Sequence, residues 1–354
     1  VWDLEGNKYI DMSIGGIGAN VLGYADEDVD SAVKEAISKG TSSSLNCYED
    51  ILLAELLSEI HPWSQMSKFT RSGGEAMAVA VRIARAYTGK EIIAFCGYHG
   101  WNDWYLAANI ESKDNLSQHL LSGLDAKGIP KGLRGTAIPF RYNQLEEIQN
   151  IVDKFPNKIA AIVMEPIRSA EPVPGFIESV RKLATDSSAM LIFDEISSGF
   201  RLNSAGAHIK FGVDPDMAVF SKALGNGYPI AAIIGTSEVM ESSQSTFISS
   251  TNWTERIGPT AALATITKHK DNDVSNHLVN VGKKIQNGWK DISENNDLDI
   301  RVSGIPPLSH FIFNTDNPMA YKTLFVELML KEGFLASTSF YSMYAHTNQH
   351  VDMY

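Results

Sequence analysis

Two short apolar runs in this chain each end in charge. Leu191-Ile192-Phe193 is closed by Asp194-Glu195, and Met217-Ala218-Val219-Phe220-Ser221 by Lys222. Runs of that length, bounded by turn formers, predict buried strands of a parallel sheet. In an open α/β sheet the ligand crevice lies beyond the carboxyl ends of the strands, so Asp194 and Lys222 are expected to share one crevice. A buried acid there can keep an aromatic ring nitrogen protonated, which lets the ring accept electrons. A lysine that loses its proton can condense with a carbonyl to form a Schiff base. Taken singly, either residue is more often an ordinary strand-end charge.

The elements that must position the pair lie on both sides of it. Ser67 to Thr70 reads as a strand, and Ala76, Val79, Ala80 and Ile83 then recur at helical spacing up to about Tyr87. Ser72-Gly73-Gly74 therefore falls at a helix N-terminus, where free backbone N–H groups and the helix dipole favour a phosphate; a serine N-cap with flexible glycines is the alternative. Glu91 to Phe95 predicts a strand ending in Gly97-Tyr98-His99-Gly100-Trp101, where an aromatic can cover the flat face of a bound ring. Trp101 and Trp104 are expected in a core aromatic cluster. Lys158 to Met164 predicts a buried strand ending in Glu165-Pro166-Ile167-Arg168, and Gly175 to Ser187 its crossover helix. Arg168 is either a surface ion-pair partner or a grip for an anionic substrate group. Pro229 to Thr236 predicts the strand after Lys222.

Elsewhere, Val1 to Asp11 predicts a hairpin, and Asp28 to Lys39 and Glu49 to Ile60 amphipathic helices. Ser112 to Arg134 predicts a long loop with a short helix, near the site. Thr260 to Lys268 starts a long helix that Asn276 to Trp289 continues. Arg301 to Asn314 and Gly333 to Tyr344 supply strands of a smaller C-terminal domain.

Composition excludes several classes. The 354 residues are 44% hydrophobic and 20% charged, ordinary for a globular protein, and the net charge of −12 argues against a nucleic-acid or anionic-membrane surface. Cys47 and Cys96 form no CxxC pair, which fits a reducing cytoplasm, and the nine histidines show no metal-ligand spacing. No apolar segment of membrane-spanning length is present. The chain starts on Val1, inside the apparent hairpin, and stops on Tyr354, the pattern expected of a chain trimmed at both ends.

Ile192-Phe193-Asp194-Glu195 with Gly199-Phe200-Arg201, and Ser221-Lys222-Ala223-Leu224-Gly225-Asn226-Gly227-Tyr228-Pro229-Ile230, resemble the two signature segments of class III aminotransferases. The resemblance runs over nearly the whole chain. It implies the α/β architecture of fold type I pyridoxal 5'-phosphate (PLP)-dependent transferases: a large domain with a mostly parallel sheet flanked by helices, plus a smaller α+β domain. On that basis residues 1–38 form an N-terminal segment associated with the small domain, 39–262 the large PLP-binding domain and 263–354 the small domain. Lys222 is implied as the Schiff-base lysine and Asp194 as the partner of the pyridine nitrogen. Ser72, Gly73 and Gly74 resemble the family's SGTEA phosphate loop, with Gly74 in place of threonine. Tyr98 matches the tyrosine that stacks on the PLP ring, His99 travels with it as a supporting group, and Glu165 matches a glutamate that holds the neighbouring acid. Ser197, on the connection after Asp194, belongs to the same cofactor-binding set. Gly15 to Gly23 resembles the family's GIGxNxLGH entrance segment, with Tyr24 where histidine is usual; a plain tight turn is equally open. Relatives reach the partner subunit's phosphate with a threonine, so the resemblance implies a homodimer with shared active sites. Thr251 and Thr254 both stand as candidates for that threonine, Thr254 being preferred.

The region Phe334 to Thr347 lacks the arginine with which acetylornithine-type relatives hold a substrate carboxylate. It looks more like a glutamate-1-semialdehyde 2,1-aminomutase, with Tyr341 where that enzyme has glutamate. The first expectation is an aminotransferase moving an amino group between a small-molecule amino donor and a carbonyl acceptor, such as a saccharide or secondary-metabolite precursor. The aminomutase is the second, and a PLP-binding scaffold without catalysis the third. Arg168, Tyr341 and Trp101 are the expected substrate contacts.

Overall fold

The computed structural model describes residues 1–120 and 122–354. In chain order its strands are β1 (Ile10–Met12), β2 (Met66–Thr70), β3 (Ile92–Cys96), β4 (Ala137–Pro139), β5 (Ile159–Met164), β6 (Met190–Asp194), β7 (Met217–Phe220), β8 (Ala231–Gly235), β9 (Ile300–Ser303), β10 (Leu308–Phe313), β11 (Phe334–Ala336) and β12 (Ser339–Tyr341). Seven of them form the central sheet, in the order β2-β8-β7-β6-β5-β3-β4. Strands β4, β3, β5, β6 and β7 run parallel. β8 is antiparallel to both of its neighbours. The cause of that reversal is local. Only Ser221 to Ile230 joins β7 to β8, in a tight turn with Lys222, Asn226 and Gly227 at positive φ. A parallel return needs a crossover of roughly a dozen residues or more, and there is no room for one.

The sheet alternates its faces with period two, as a sheet buried on both sides must. Val163, Ile192, Val219 and Ile233 meet the helix Gly73–Thr88, which offers Ala76, Met77, Ala80 and Ile83. On the opposite face, Ile162, Leu191 and Phe193 meet Ile177 and Val180 of the crossover helix Phe176–Asp186. Ala218, Phe220 and Ile234 meet Val29, Val33, Leu53 and Leu57 from the helices Glu27–Ser38 and Tyr48–Ile60, together with Ala261 and Ile266. The N-terminal 38 residues thus pack in two places. Their helix joins this core, whereas β1 pairs in parallel with β11, and Met12 packs with Trp289, Phe311, Phe334 and Phe340. Strands β12-β10-β9 make an antiparallel sheet beside that second core.

Three local readings of the sequence change. The expected single helix from Thr260 is two, Ile257–Asp271 and Val274–Asn295. The break lies at Asp273, whose φ of 47° is a left-handed conformation that aspartate tolerates better than most residues. The N-terminal hairpin reduces to one bridge between Trp2 and Lys8. A further helix, Pro318–Lys331, follows β10 with none of its residues buried. In the loop from Ser112 to Arg134 the short helix is a single 3-10 turn at Lys131–Leu133, and Leu121 lies outside the described residues. The loop is anchored: Leu116 is fully buried, and Asn109 accepts from Leu116 N and donates to Leu124 O.

Candidate active site

The order of the sheet puts the ends of β6 and β7 side by side, and Asp194 and Lys222 line one cavity of about 310 Å³. Lys222 follows β7 directly, with φ at 50°, a left-handed position costly for a residue with a side chain. Its Nζ donates to Ser197 Oγ at 2.8 Å. Burial, and then the charge of Arg168, lower the Lys222 ammonium to about 8, against opposing pulls from Glu165 and Asp194. A lysine so placed is neutral far more often at pH 7 than an ordinary lysine, in about one molecule in ten.

Asp194 is buried and doubly held. Its Oδ1 accepts from Ile196 N at 3.0 Å, and its Oδ2 lies 2.7 Å from His99 Nδ1. The other ring nitrogen of His99 is 3.0 Å from Cys96 O, an acceptor only, so Nε2 must carry a proton. A proton then sits between Nδ1 and Oδ2. Trp104 stacks on the same imidazole, with ring centroids 6.3 Å apart. Glu195, next in sequence, faces away from the cavity. Burial would raise its carboxyl, but hydrogen bonds from His208 and Ser198 hold it below its usual range.

Ser72 caps the helix Gly73–Thr88 through its Oγ, which accepts from Glu75 N at 3.4 Å. The N–H groups of Gly73 and Gly74 find no backbone partner among the described residues. Their cradle is narrow. A Cβ on Gly100, where φ is 98°, would lie 2.9 Å from Gly74 Cα, and one on Gly73 would lie 2.8 Å from Ile196 Cδ1. Gly16 and Ile17 of the glycine-rich segment, both at positive φ, close the cavity opposite. Tyr98 lines it with its ring edge-to-face against Tyr105.

The residues expected in the site are only partly brought together. Ser72 caps the cradle, and Gly73, Gly74, Tyr98, His99, Asp194, Ser197 and Lys222 line or support the cavity, as does Trp101. Trp101 is not in the core cluster the sequence suggested: it is 73% exposed at the rim, while Trp104 is buried. Glu165 and Arg168 form an ion pair at 3.3 Å and line a neighbouring cleft of about 380 Å³ that shares Tyr98 with the first cavity. Burial raises the Glu165 carboxyl against the pull of Arg168. Tyr341 stands beside Arg168 and against Arg201 and Gly18. Thr251 and Thr254 lie apart from the cavity in this chain. Thr251 is exposed, and Thr254 Oγ1 donates to Ser43 O at 2.5 Å.

Two residues escaped the reading of the sequence. Arg201 is buried without a carboxylate partner among the described residues. It donates from Nη2 to Gly18 O and from Nε to Ser197 O, fastening the glycine-rich segment to the loop that holds Lys222, and burial lowers it to about 10. His119 lines the second cleft from the long loop, which only its expected position near the site could have suggested.

The fit to PLP rests on these donors: unpaired N–H groups at a helix N-terminus for a phosphate, an acid already supported by an imidazole for a ring nitrogen, and a buried lysine for a carbonyl. Strand order, reversed β8 and lysine position define a fold type I PLP-dependent transferase. The chain belongs to the class III aminotransferases: the family model "Aminotransferase class-III" matches residues 1–339. Among curated relatives, the 3-aminobutyryl-CoA aminotransferase of Cloacimonas acidaminovorans (strain Evry) is 35% identical over 335 residues, covering 92% of this chain and 77% of its own. Of the solved structures, an omega-transaminase from Sphaerobacter thermophilus is similar with a TM-score of 0.89 at 22% identity, over 99% of this chain and 86% of that one. A glutamate-1-semialdehyde-aminomutase from Pseudomonas aeruginosa PAO1 gives 0.84 at 19%, over 100% and 83%. The protein is thus a PLP-dependent enzyme that transfers amino groups.

Proposed function

We propose that the enzyme moves an amino group between an amino-acid donor and a carbonyl that lies β to an acyl group. The name of the 35% identical relative, 3-aminobutyryl-CoA aminotransferase, supports that substrate class. One observation carries the catalytic assignment: Lys222 Nζ and the Asp194–His99 pair line or support one cavity, beside free N–H groups. PLP, when bound, supplies the electron sink that lets the amine-bearing carbon give up its proton. Lys222 Nζ takes and returns that proton, with Ser197 Oγ aiming it. Asp194 and His99 would hold the ring nitrogen, Gly73 and Gly74 the phosphate, and Tyr98 a ring face.

An intramolecular transfer is the second reading. It is supported by the region Phe334 to Thr347, which has no arginine, and by the likeness in fold to the aminomutase, while Tyr341 in place of that enzyme's glutamate speaks against it. A donor–acceptor screen on the holoenzyme separates the two. Cofactor absorbance should change on adding an amine and return on adding a keto acid. Conversion of glutamate 1-semialdehyde to 5-aminolevulinate with no second substrate would instead establish the aminomutase.

Arg168 and Tyr341 are proposed to select the acid-bearing substrate. A charge-assisted hydrogen bond from Arg168 is worth about 1.5–3 kcal/mol, so Arg168→Ala should raise KM for that substrate roughly ten- to hundredfold while the cofactor spectrum stays unchanged. Loss of cofactor from the variant would place Arg168 in the cofactor site instead. A homodimer is proposed because Trp101 and Phe247 stand exposed along the cleft beside Ser72, and because Thr251 and Thr254, the candidates for a threonine that serves the partner's phosphate, lie apart from the cavity of their own chain. A fully active monomer in sedimentation would end that reading. The free, buried cysteines Cys47 and Cys96 fit a cytoplasmic setting, and no helix among the described residues is long and apolar enough to cross a membrane.

A further inference from the structure

The cleft beside Tyr98 and Glu165 is lined by polar side chains, most of which are already spent. Arg141 is held by Glu147, and the Tyr142 hydroxyl donates to Pro166 O. Asn143 donates to Glu171 O and accepts from Val173 N, and Arg168, paired with Glu165, is already assigned to the acid-bearing substrate. The capacity that remains belongs to uncharged groups. The Gln118 amide and the Ser169 hydroxyl have no hydrogen-bond partner among the described residues. His119 has one. Its Nδ1 accepts from Gly97 N at 3.2 Å, and since a backbone N–H can only donate, Nδ1 is unprotonated. The ring is therefore the neutral tautomer with its proton on Nε2, a free donor in the cleft. Burial, followed by the neighbouring His99, lowers the imidazole further from its charged form.

From this arrangement we propose that His119, with Gln118, recognises a neutral carbonyl of the substrate, the acyl carbonyl of a thioester or amide, and so selects against the free acid. The inference rests on the proposed β-amino acyl substrate and assigns the residues that would read its acyl group. A second anion, beyond the one assigned to Arg168, would find the other cation of the cleft, Arg141, already neutralised by Glu147, whereas a carbonyl oxygen needs only the uncharged donors already free.

The geometry of His119 supplies its own control. In His119→Asn the side-chain oxygen takes the place of Nδ1 and still accepts from Gly97, but the donor at the Nε2 position is lost. In His119→Gln a donor again reaches that position. Holoenzyme is assayed in the amine half-reaction, by cofactor absorbance, with 3-aminobutyryl-pantetheine and with 2-aminobutane, which lacks the acyl group. Binding of unreactive butyryl-pantetheine is measured by calorimetry. The expected result is that His119→Asn lowers the ratio of kcat/KM for the thioester over the amine roughly three- to tenfold and weakens butyryl-pantetheine by a similar factor, and that His119→Gln restores both. A purely structural role for the Gly97 bond predicts the reverse order, Asn harmless and Gln damaging, and that result overturns the inference. So does an unchanged ratio in His119→Asn while the wild type prefers the thioester. If the wild type itself shows no preference for the thioester, the proposed substrate class fails, and the role of His119 with it.

Discussion

Lys222→Ala is expected to lower turnover on the order of 10⁴-fold, with the fold preserved. No other lysine among the described residues lines the cavity, and the alanine removes both the proton carrier and the group that captures a carbonyl. The pH dependence makes the assignment specific. With the ammonium lowered to about 8, the neutral amine grows about tenfold per pH unit below that value and levels off above it. Capture of PLP by the apoenzyme should follow that curve in the wild type and vanish in the variant. The same shift makes the unfolded chain hold the Lys222 proton longer than the folded one. Its contribution therefore raises apoenzyme stability as pH climbs from about 8 towards the ordinary lysine value of 10.5. Borohydride reduction followed by peptide mapping should find the pyridoxyl group on Lys222; a different lysine would remove the basis of the proposed mechanism.

Asp194→Asn tests the electron sink. The amide retains the shape and can still meet Ile196 N and His99, so circular dichroism should not change. What is lost is the negative charge that keeps a ring nitrogen protonated, and turnover should fall roughly 10²–10⁴-fold. The effect belongs in kcat rather than KM, because substrate contacts lie on other residues. His99→Phe should reproduce a smaller part of the loss, since Asp194 Oδ2 loses its 2.7 Å partner. Near-normal turnover in Asp194→Asn would exclude the assignment.

The shared position of Asp194 and Lys222 was legible because strand ends are specified locally: a few apolar residues and then a charge mark both the strand and the side on which its last side chain emerges. β6 and β7 are found where their sequences place them, and Ser72 caps the helix that the spacing of Ala76, Ala80 and Ile83 announces. Other features depend on contacts distant in sequence. His119 acquires a role only when its loop folds back on Gly97, 22 positions earlier, and Arg201 only when Gly18 arrives, 183 positions away. Trp101 reads as core by composition, yet it follows Gly100 at positive φ and is turned out to the rim. The helix Pro318–Lys331 has Met319, Leu324 and Leu328 exposed, so no one-sided pattern marks it.

The three glycines at the N-terminus of the helix Gly73–Thr88 and facing it are not equivalent. Gly100 is fixed by its φ of 98° and by Gly74 Cα, 2.9 Å from any Cβ it might gain, and Gly73 could grow only if Ile196 moved. A Cβ on Gly74 would meet nothing nearer than the Asn102 amide at 3.4 Å. Compared with the SGTEA loop that this segment resembles, the chain lacks a hydroxyl at position 74 but keeps room for a Cβ there. A side chain can therefore be added at position 74 while the walls around it stay where they are.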